Sequence, residues 1–454
     1  MCPVSPLDDR YACEIEELRD IFSEYALTKN RLLVEIEYII ELSTQGVIEE
    51  ISEDKKDRIR KIYENFDQNE FAEVKRIEKE TKHDVKALEY YLRRKFHENG
   101  LSELSRYIHL GLTSEDINNI AYSLMLKECL KVYLVHLKRL IERIIELGEQ
   151  WKDVVMISRT HGQPAVPTTL GKEFIVFACR LCREYSKLKS LTLTGKLNGA
   201  VGNYNALKFI FPKVDWIKFS ESFIRKFGLE PILITTQRNI HDLISELLRK
   251  IVSINNILLN FVTDMWMYVM LGYFRLTFDI REVGSSTMPH KVNPIHFENA
   301  EGNLTLSNAL LTSIANKMQI SRLQRDLSDS TVRRNYGAAI AYSFLAMKNI
   351  LRGLSRIDVD KEIIENDLLG HWEVLSEAIQ VYLKMQGYED AFEKVKSCFQ
   401  GRNISREEFK KIIETLDIPT HLKRDLLKLD VRSYVGLCHT LFEIGKKWCL
   451  ERLY

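Results

Sequence analysis

Apolar positions in this chain recur at helical spacing almost from end to end. Leu32, Leu33, Ile36, Ile39 and Ile40 share one helical face, and Val85, Leu88, Tyr91 and Leu92 share another. They predict several helices with charged outer faces over residues 1–111. From about residue 112 the helices lengthen. Leu126, Leu130, Tyr133, Leu137, Leu140, Ile144 and Leu147 form one unbroken apolar stripe between Asn119 and Leu147. Between His241 and Phe274 apolar residues spread almost around the helix, interrupted by Asn255, Asn256 and Asn260. Such a helix has bundle neighbours on most sides. Asn303 to Met318 repeats the pattern. It breaks near Gly353-Leu354-Ser355, and shorter, more charged helices follow. The reading is all-α: a helical head over 1–111, a central bundle of long helices over 112–352 and a helical tail over 353–454.

Composition supports long helices. A chain of 454 residues with only 20 Gly and 9 Pro falls below the usual ~7% and ~5% of these chain punctuators. Its formal net charge is +1, from 65 basic and 64 acidic residues. That balance supplies no general drive toward nucleic acid or anionic membrane, so neither is an expected partner, and an anionic ligand needs a local cluster of positive groups. No segment reaches the ~18 apolar residues of a membrane span; the best candidate, Met265 to Phe274, reads as a buried helix. The start of the chain carries Asp8, Asp9 and Glu14 and no apolar stretch, and the eight cysteines are scattered. A cytoplasmic chain with reduced thiols is expected. Cys179 and Cys182 have a CxxC spacing inside a helical run with no second pair nearby, and read as helix and core positions. An elongated apolar bundle standing alone would expose a large patch, which predicts a symmetric oligomer.

Polar, turn-forming clusters stand out against this background. They are Lys82-His83-Asp84, His109 through Asp116, Ser158 through Pro164, residues 284–294, and Arg325 through Arg334. Plain readings exist for most. Thr113-Ser114-Glu115-Asp116 is a sound N-cap with an acidic first turn. His161 before Gly162 suits a loop histidine. Arg325, Arg333 and Arg334 beside Asp326 and Asp329 suit a solvated charged face. The 284–294 segment resists such a reading. Gly284, Ser285, Ser286, two prolines, His290, Lys291 and Asn293 are more than a helix connection needs, and backbone N–H groups with Lys291 would cradle an anionic oxygen. No metal-ligand constellation appears. Gly195 through Gly202 lacks dinucleotide and Walker spacing, so neither metal nor cofactor is expected.

The segment Ser285-Ser286-Thr287-Met288-Pro289-His290-Lys291-Val292-Asn293-Pro294-Ile295, with Phe297-Glu298-Asn299, resembles the signature of the fumarase/aspartase superfamily. Within it the chain is similar to the bacterial-type adenylosuccinate lyase family. Supporting segments run nearly the whole length: Ser5 through Tyr11, His83 through Ala87, Thr113 through Asn119, Ser158 through Pro164, Gly199 through Asn205, Thr235-Thr236-Gln237, and Gln324 through Arg334. Arg238-Asn239-Ile240 after Gln237 is more polar than the family pattern.

The resemblance implies a three-domain, all-helical fold and β-elimination of fumarate from small nucleotide substrates. Adenylosuccinate would give AMP, and the succinylaminoimidazole-carboxamide ribotide its carboxamide. It also implies a homotetramer whose active sites are shared between subunits. By the same carry-over His161 is the general acid and Ser285 the general base; residue types alone would have pointed to His83 or His290 as base. Lys291, Val292 and Asn293, with Thr113, Ser114 and Ser286, are implied around the succinyl carboxylates, and Gln237 and Asn299 orient the substrate. Arg10, Tyr11, Arg325, Ser330 and Arg334 are implied around the nucleotide, with Lys82, His83 and Asp84 completing the shell and Glu298 orienting His161. Other members of the superfamily are the rivals, but fumarases usually carry glycine, and argininosuccinate lyases glutamine, where this chain has His290. A silent structural homologue would have lost His161 or the loop serines, and both are present.

Overall fold

A computed structural model describes residues 3–277, 288 and 290–454 of the chain. Helices dominate, and the strands among the described residues form three two-stranded pairs. The chain divides into two compact units. One comprises Met1–His136, Lys187–Asn255 and Asn303–Leu345, and the other Leu137–Ser186, Asn256–Gly302 and Ala346–Tyr454. The division points fall inside the five long helices Ser114–Gln150, Leu170–Lys189, Asp242–Met270, Ile295–Met318 and Tyr336–Leu354.

In the first unit the helix Glu24–Thr44 starts where the Ser23 side chain accepts the Ala26 N–H, and Asp67 caps Gln68–Thr81 in the same way. The predicted stripe closes a core: Leu32, Ile36, Ile39 and Ile40 pack with Leu88, Tyr91, Leu92 and Phe96. Asn255, which the sequence reading took for an interruption, is a buried cross-link. Its amide donates to Ser307 Oγ at 3.1 Å and accepts from Ser343 Oγ at 2.6 Å, while Tyr133 OH meets Ser343 at 2.9 Å. Four helices are joined by a network whose members satisfy one another, which is what allows polar groups into the core.

In the second unit Trp151, Phe174, Phe261 and Phe274 form edge-to-face and tilted ring contacts. Two glycines allow the helices there to touch. A Cβ on Gly171 would stand 2.4 Å from the Gly148 carbonyl oxygen and 2.5 Å from Lys152 Cα. These are backbone atoms with no rotamer to change, so Gly171→Ala is expected to lower stability by about 1–3 kcal/mol. Urea denaturation checks this, and an unchanged midpoint would contradict it. A second apolar cluster gathers Trp372, Leu375, Ile379, Phe409 and Ile413 with Ile157.

One expectation is corrected. Residues 265–274 are not one buried helix: the helix stops at Met270, Phe274–Leu276 pairs antiparallel with Ile357–Val359, and Trp266, Met267 and Met270 are 39%, 46% and 63% exposed in the single chain. The turn-forming cluster Ser158 through Pro164 is the end of a hairpin. Cys179 and Cys182 do lie on a helix. Spacing gave no sign that Cys449 places its sulfur 3.5 Å from Cys179, where Gly445 lacks the Cβ that would keep the two helices apart. No helix of the described residues is long and apolar enough to cross a membrane.

Candidate active site

The hairpin pairs Val155–Thr160 with Gln163–Thr169, and Thr160 faces Gln163 across a two-residue turn. Its central residues, His161 and Gly162, have φ of 54° and 75°. Positive φ at both positions gives the turn a twist that matches the strands. Histidine tolerates that region better than most residues other than glycine. His161 therefore projects, exposed, from the tip of a stiff ribbon. The ribbon is pinned behind it. Arg159 donates to Asp367 at 2.8 Å and to Tyr273 OH at 3.1 Å, and Tyr273 donates to the same carboxylate.

Other predicted residues of this unit lie around the start of the helix Ile295–Met318. Lys291 and Val292 are exposed and Asn293 and Asn299 half-buried. Glu298 accepts from Trp266 Nε1 at 3.2 Å, and no hydrogen bond joins it to His161 among the described residues. Ser285 and Ser286 lie outside the described residues.

The first unit gathers most of the remaining predicted residues. Lys82 ends one helix with φ of 55°, and His83 begins the next, its Nδ1 accepting the Lys86 N–H at 3.1 Å. Asp84 is held by Arg31 at 2.8 Å and by Arg334 at 3.2 Å, and Arg334 also meets Glu24. Burial alone would raise the Asp84 carboxyl, but Arg31 and Arg334 override it and hold its pKa at about 2, below the ordinary 3.8. A depressed pKa means the paired, ionised form stabilises the fold above about pH 4, and this contribution is lost as pH falls toward 2. The stability gap between the wild type and Asp84→Asn, on the order of 1–2 kcal/mol for so partly shielded a pair, is expected to close over that window. A gap that persists at pH 2 in acid denaturation would contradict the assignment. Arg10 is exposed beside Tyr11, its guanidinium 5.9 Å from the ring centre.

Thr113 and Ser114 open the helix Ser114–Gln150, and the Thr113 N–H donates to Asp116 at 2.9 Å. The plain N-cap reading is right about local geometry and misses what the two acids do. Asp116 also accepts the Asn198 and Gly199 N–H groups, each at 3.1 Å, and pairs with Lys196 at 2.9 Å, both side chains fully buried. The loop it anchors passes so close to Thr235 that a Cβ on Gly202 would lie 2.4 Å from that carbonyl oxygen. Gln237 closes the same loop by donating to Ala200 O at 2.9 Å.

Glu115 is the second buried acid. Arg325 and Arg333 each approach it to 2.9 Å, so the solvated face expected of these arginines is instead an interior cluster, with Arg333 only 2% exposed. Charges are taken inside here because each finds an opposite partner at bonding distance. Glu115, His241 and Asp329 lie within 4.8 Å of one another, as metal ligands would. Two guanidinium groups already occupy the Glu115 oxygens where a cation would bind.

Comparison with known proteins identifies the family. A lyase family model matches residues 9–309, and the adenylosuccinate lyase C-terminal model matches residues 321–435. Adenylosuccinate lyase of Legionella pneumophila (strain Corby) is 46% identical over 443 residues, covering 96% of this chain and 97% of that one. Its counterpart in Escherichia coli (strain K12) is 42% identical over 445 residues, covering 97% and 98%. Two solved structures share the fold at low identity. They are a fumarate lyase from Mesorhizobium sp. BNC1 (TM-score 0.78, 17% identical, covering 95% of this chain and 97% of that one) and the 3-carboxy-cis,cis-muconate lactonizing enzyme from Pseudomonas putida (TM-score 0.79, 20% identical, covering 98% and 99%). From its head to its C-terminal helices, then, the chain belongs to the adenylosuccinate lyase family of the fumarase/aspartase superfamily.

Proposed function

We propose that this chain eliminates fumarate from adenylosuccinate, leaving AMP, and from the succinylaminoimidazole-carboxamide ribotide, leaving its carboxamide. The observation that carries this is the 46% identity to an adenylosuccinate lyase along 96% of the chain. Ser285 takes the proton from the succinyl carbon next to a carboxylate. The electron pair left behind forms the carbon–carbon double bond of fumarate as the C–N bond breaks. His161 delivers a proton to the departing nitrogen, which is otherwise a poor leaving group. The carbanion character develops beside a group already negative, so cationic and N–H donors near the carboxylates carry much of the rate enhancement. Lys291, Val292, Asn293, Thr113, Ser114 and Ser286 surround that end. Gln237 and Asn299 orient the substrate. Arg10, Tyr11, Arg325, Ser330 and Arg334 surround the nucleotide, with Lys82, His83 and Asp84 beside them.

These residues belong to three domains, 1–111, 112–352 and 353–454, of a cytoplasmic homotetramer whose active sites draw on several subunits. The exposed apolar side chains of Trp266, Met267, Met270 and Leu306 support self-association. A neighbouring subunit would also supply a partner for His161 where no hydrogen bond reaches it among the described residues, with Glu298 in that role. A substrate panel tests the reading. Adenylosuccinate should be consumed while argininosuccinate and malate are not, and turnover of argininosuccinate alone would overturn it.

A further inference from the structure

Glu115 sits between two groups of proposed substrate ligands. It directly follows Thr113 and Ser114, assigned above to the succinyl carboxylates. Its own carboxylate reaches the segment that carries Arg325, Ser330 and Arg334, assigned above to the nucleotide. Both of its oxygens are engaged. Oε2 accepts from Arg333 at 2.9 Å and is paired with Arg325 Nη1 at 2.9 Å, and Oε1 accepts from Arg333 at 3.2 Å, with His241 Nε2 3.5 Å away. Arg333 continues the chain of contacts by donating to Ser330 Oγ at 3.2 Å. Asp329 stands 3.6 Å from Arg325, and its backbone neighbour Ser330 donates to it at 2.7 Å.

We infer that Glu115 is a positioning residue: it holds Arg325 directly, and Ser330 through Arg333, at a fixed distance from Thr113 and Ser114, so that the two ends of the substrate are read from one block. The role rests on Arg325 and Ser330 lying around the nucleotide, as proposed above, and takes its phosphate as the group they hold. Several features favour it over a purely structural ion pair. Glu115 and Asp329 balance Arg325 and Arg333, and burial lowers the pKa of His241 against the pull of Glu115, so the cluster is close to neutral before any ligand arrives. Arg333 is spent wholly on the interior, under Tyr122 and against Glu115. Arg325 keeps 14% of its side chain exposed. An arginine already fixed in its binding rotamer removes an ordering cost from substrate binding.

The test compares adenylosuccinate with its nucleoside analogue lacking the phosphate, in the wild type and in Glu115→Gln. The wild type should prefer the phosphorylated substrate strongly. In Glu115→Gln that preference should fall by about 10–100-fold in kcat/KM, mostly through KM, with the acid and base limbs of the pH profile unmoved. A general folding defect would slow both substrates alike and leave the preference intact. Should the single variant not fold, Glu115→Gln with Arg333→Met removes both charges of the pair and still takes the Glu115 carboxylate away from Arg325. Arg325→Met is the reference. If it abolishes the preference and the Glu115 variants keep it, the positioning role is overturned while the phosphate reading stands. If Arg325→Met keeps the preference, the phosphate reading falls, and this inference with it.

Discussion

His161→Asn is expected to lower turnover of adenylosuccinate by about 10²–10⁴-fold, the usual contribution of a positioned acid, with the fold unchanged. Asparagine is the informative choice because the hairpin turn requires φ of 54° at this position. Asn-Gly is the favoured pair for such a turn, whereas alanine there is strained. His161 is exposed and packs into no core, so little stability depends on its ring. Circular dichroism and the melting temperature should match the wild type while kcat collapses and KM changes little. Activity within a few-fold of wild type in this variant would remove His161 from the acid role.

The second large effect is on stability. Lys196→Met is expected to cost about 3 kcal/mol, and Asp116→Asn nearer 5, within the range for breaking a buried pair from one side. The asymmetry follows from what each change leaves behind. Without Lys196, the Asp116 carboxylate still accepts three backbone N–H groups, from Thr113, Asn198 and Gly199. Without the Asp116 charge, the Lys196 ammonium keeps only the Gly199 carbonyl at 3.1 Å, and an amide nitrogen is forced among N–H donors. Urea denaturation of the two variants gives the order directly. Equal or reversed losses would mean that the ion pair, not the backbone bonds to Asp116, holds this loop.

The helical architecture was legible because an apolar stripe needs only local periodicity to be seen, and Leu126 through Leu147 stand in one helix as expected. The hairpin was harder to see. Pro164 and Pro167 argue against a strand, yet in a two-stranded ribbon both strands are edges and tolerate proline. The signal lay in His161-Gly162, a two-residue turn between Val155-Met156-Ile157 and a second alternating run. The buried charges were not legible at all. Arg333 beside Arg334, and Glu115 beside Asp116, read as surface in any local window, and only the tertiary pairing makes their burial tolerable. Lys196 carried no warning either, since nothing in Gly195 through Gly202 says that its ammonium is enclosed. His241, buried beside Glu115 with φ of 58°, was passed over for the same reason. The acid role proposed for His161 rests on the resemblance of its motif, whereas its left-handed place at a hairpin tip is a tertiary fact.

The central claim is tested most directly by incubating the purified protein with adenylosuccinate and quantifying both products by proton NMR. The account predicts fumarate and AMP in equal amounts, growing with the loss of substrate. A folded protein that leaves adenylosuccinate intact, or releases AMP without fumarate, would contradict it.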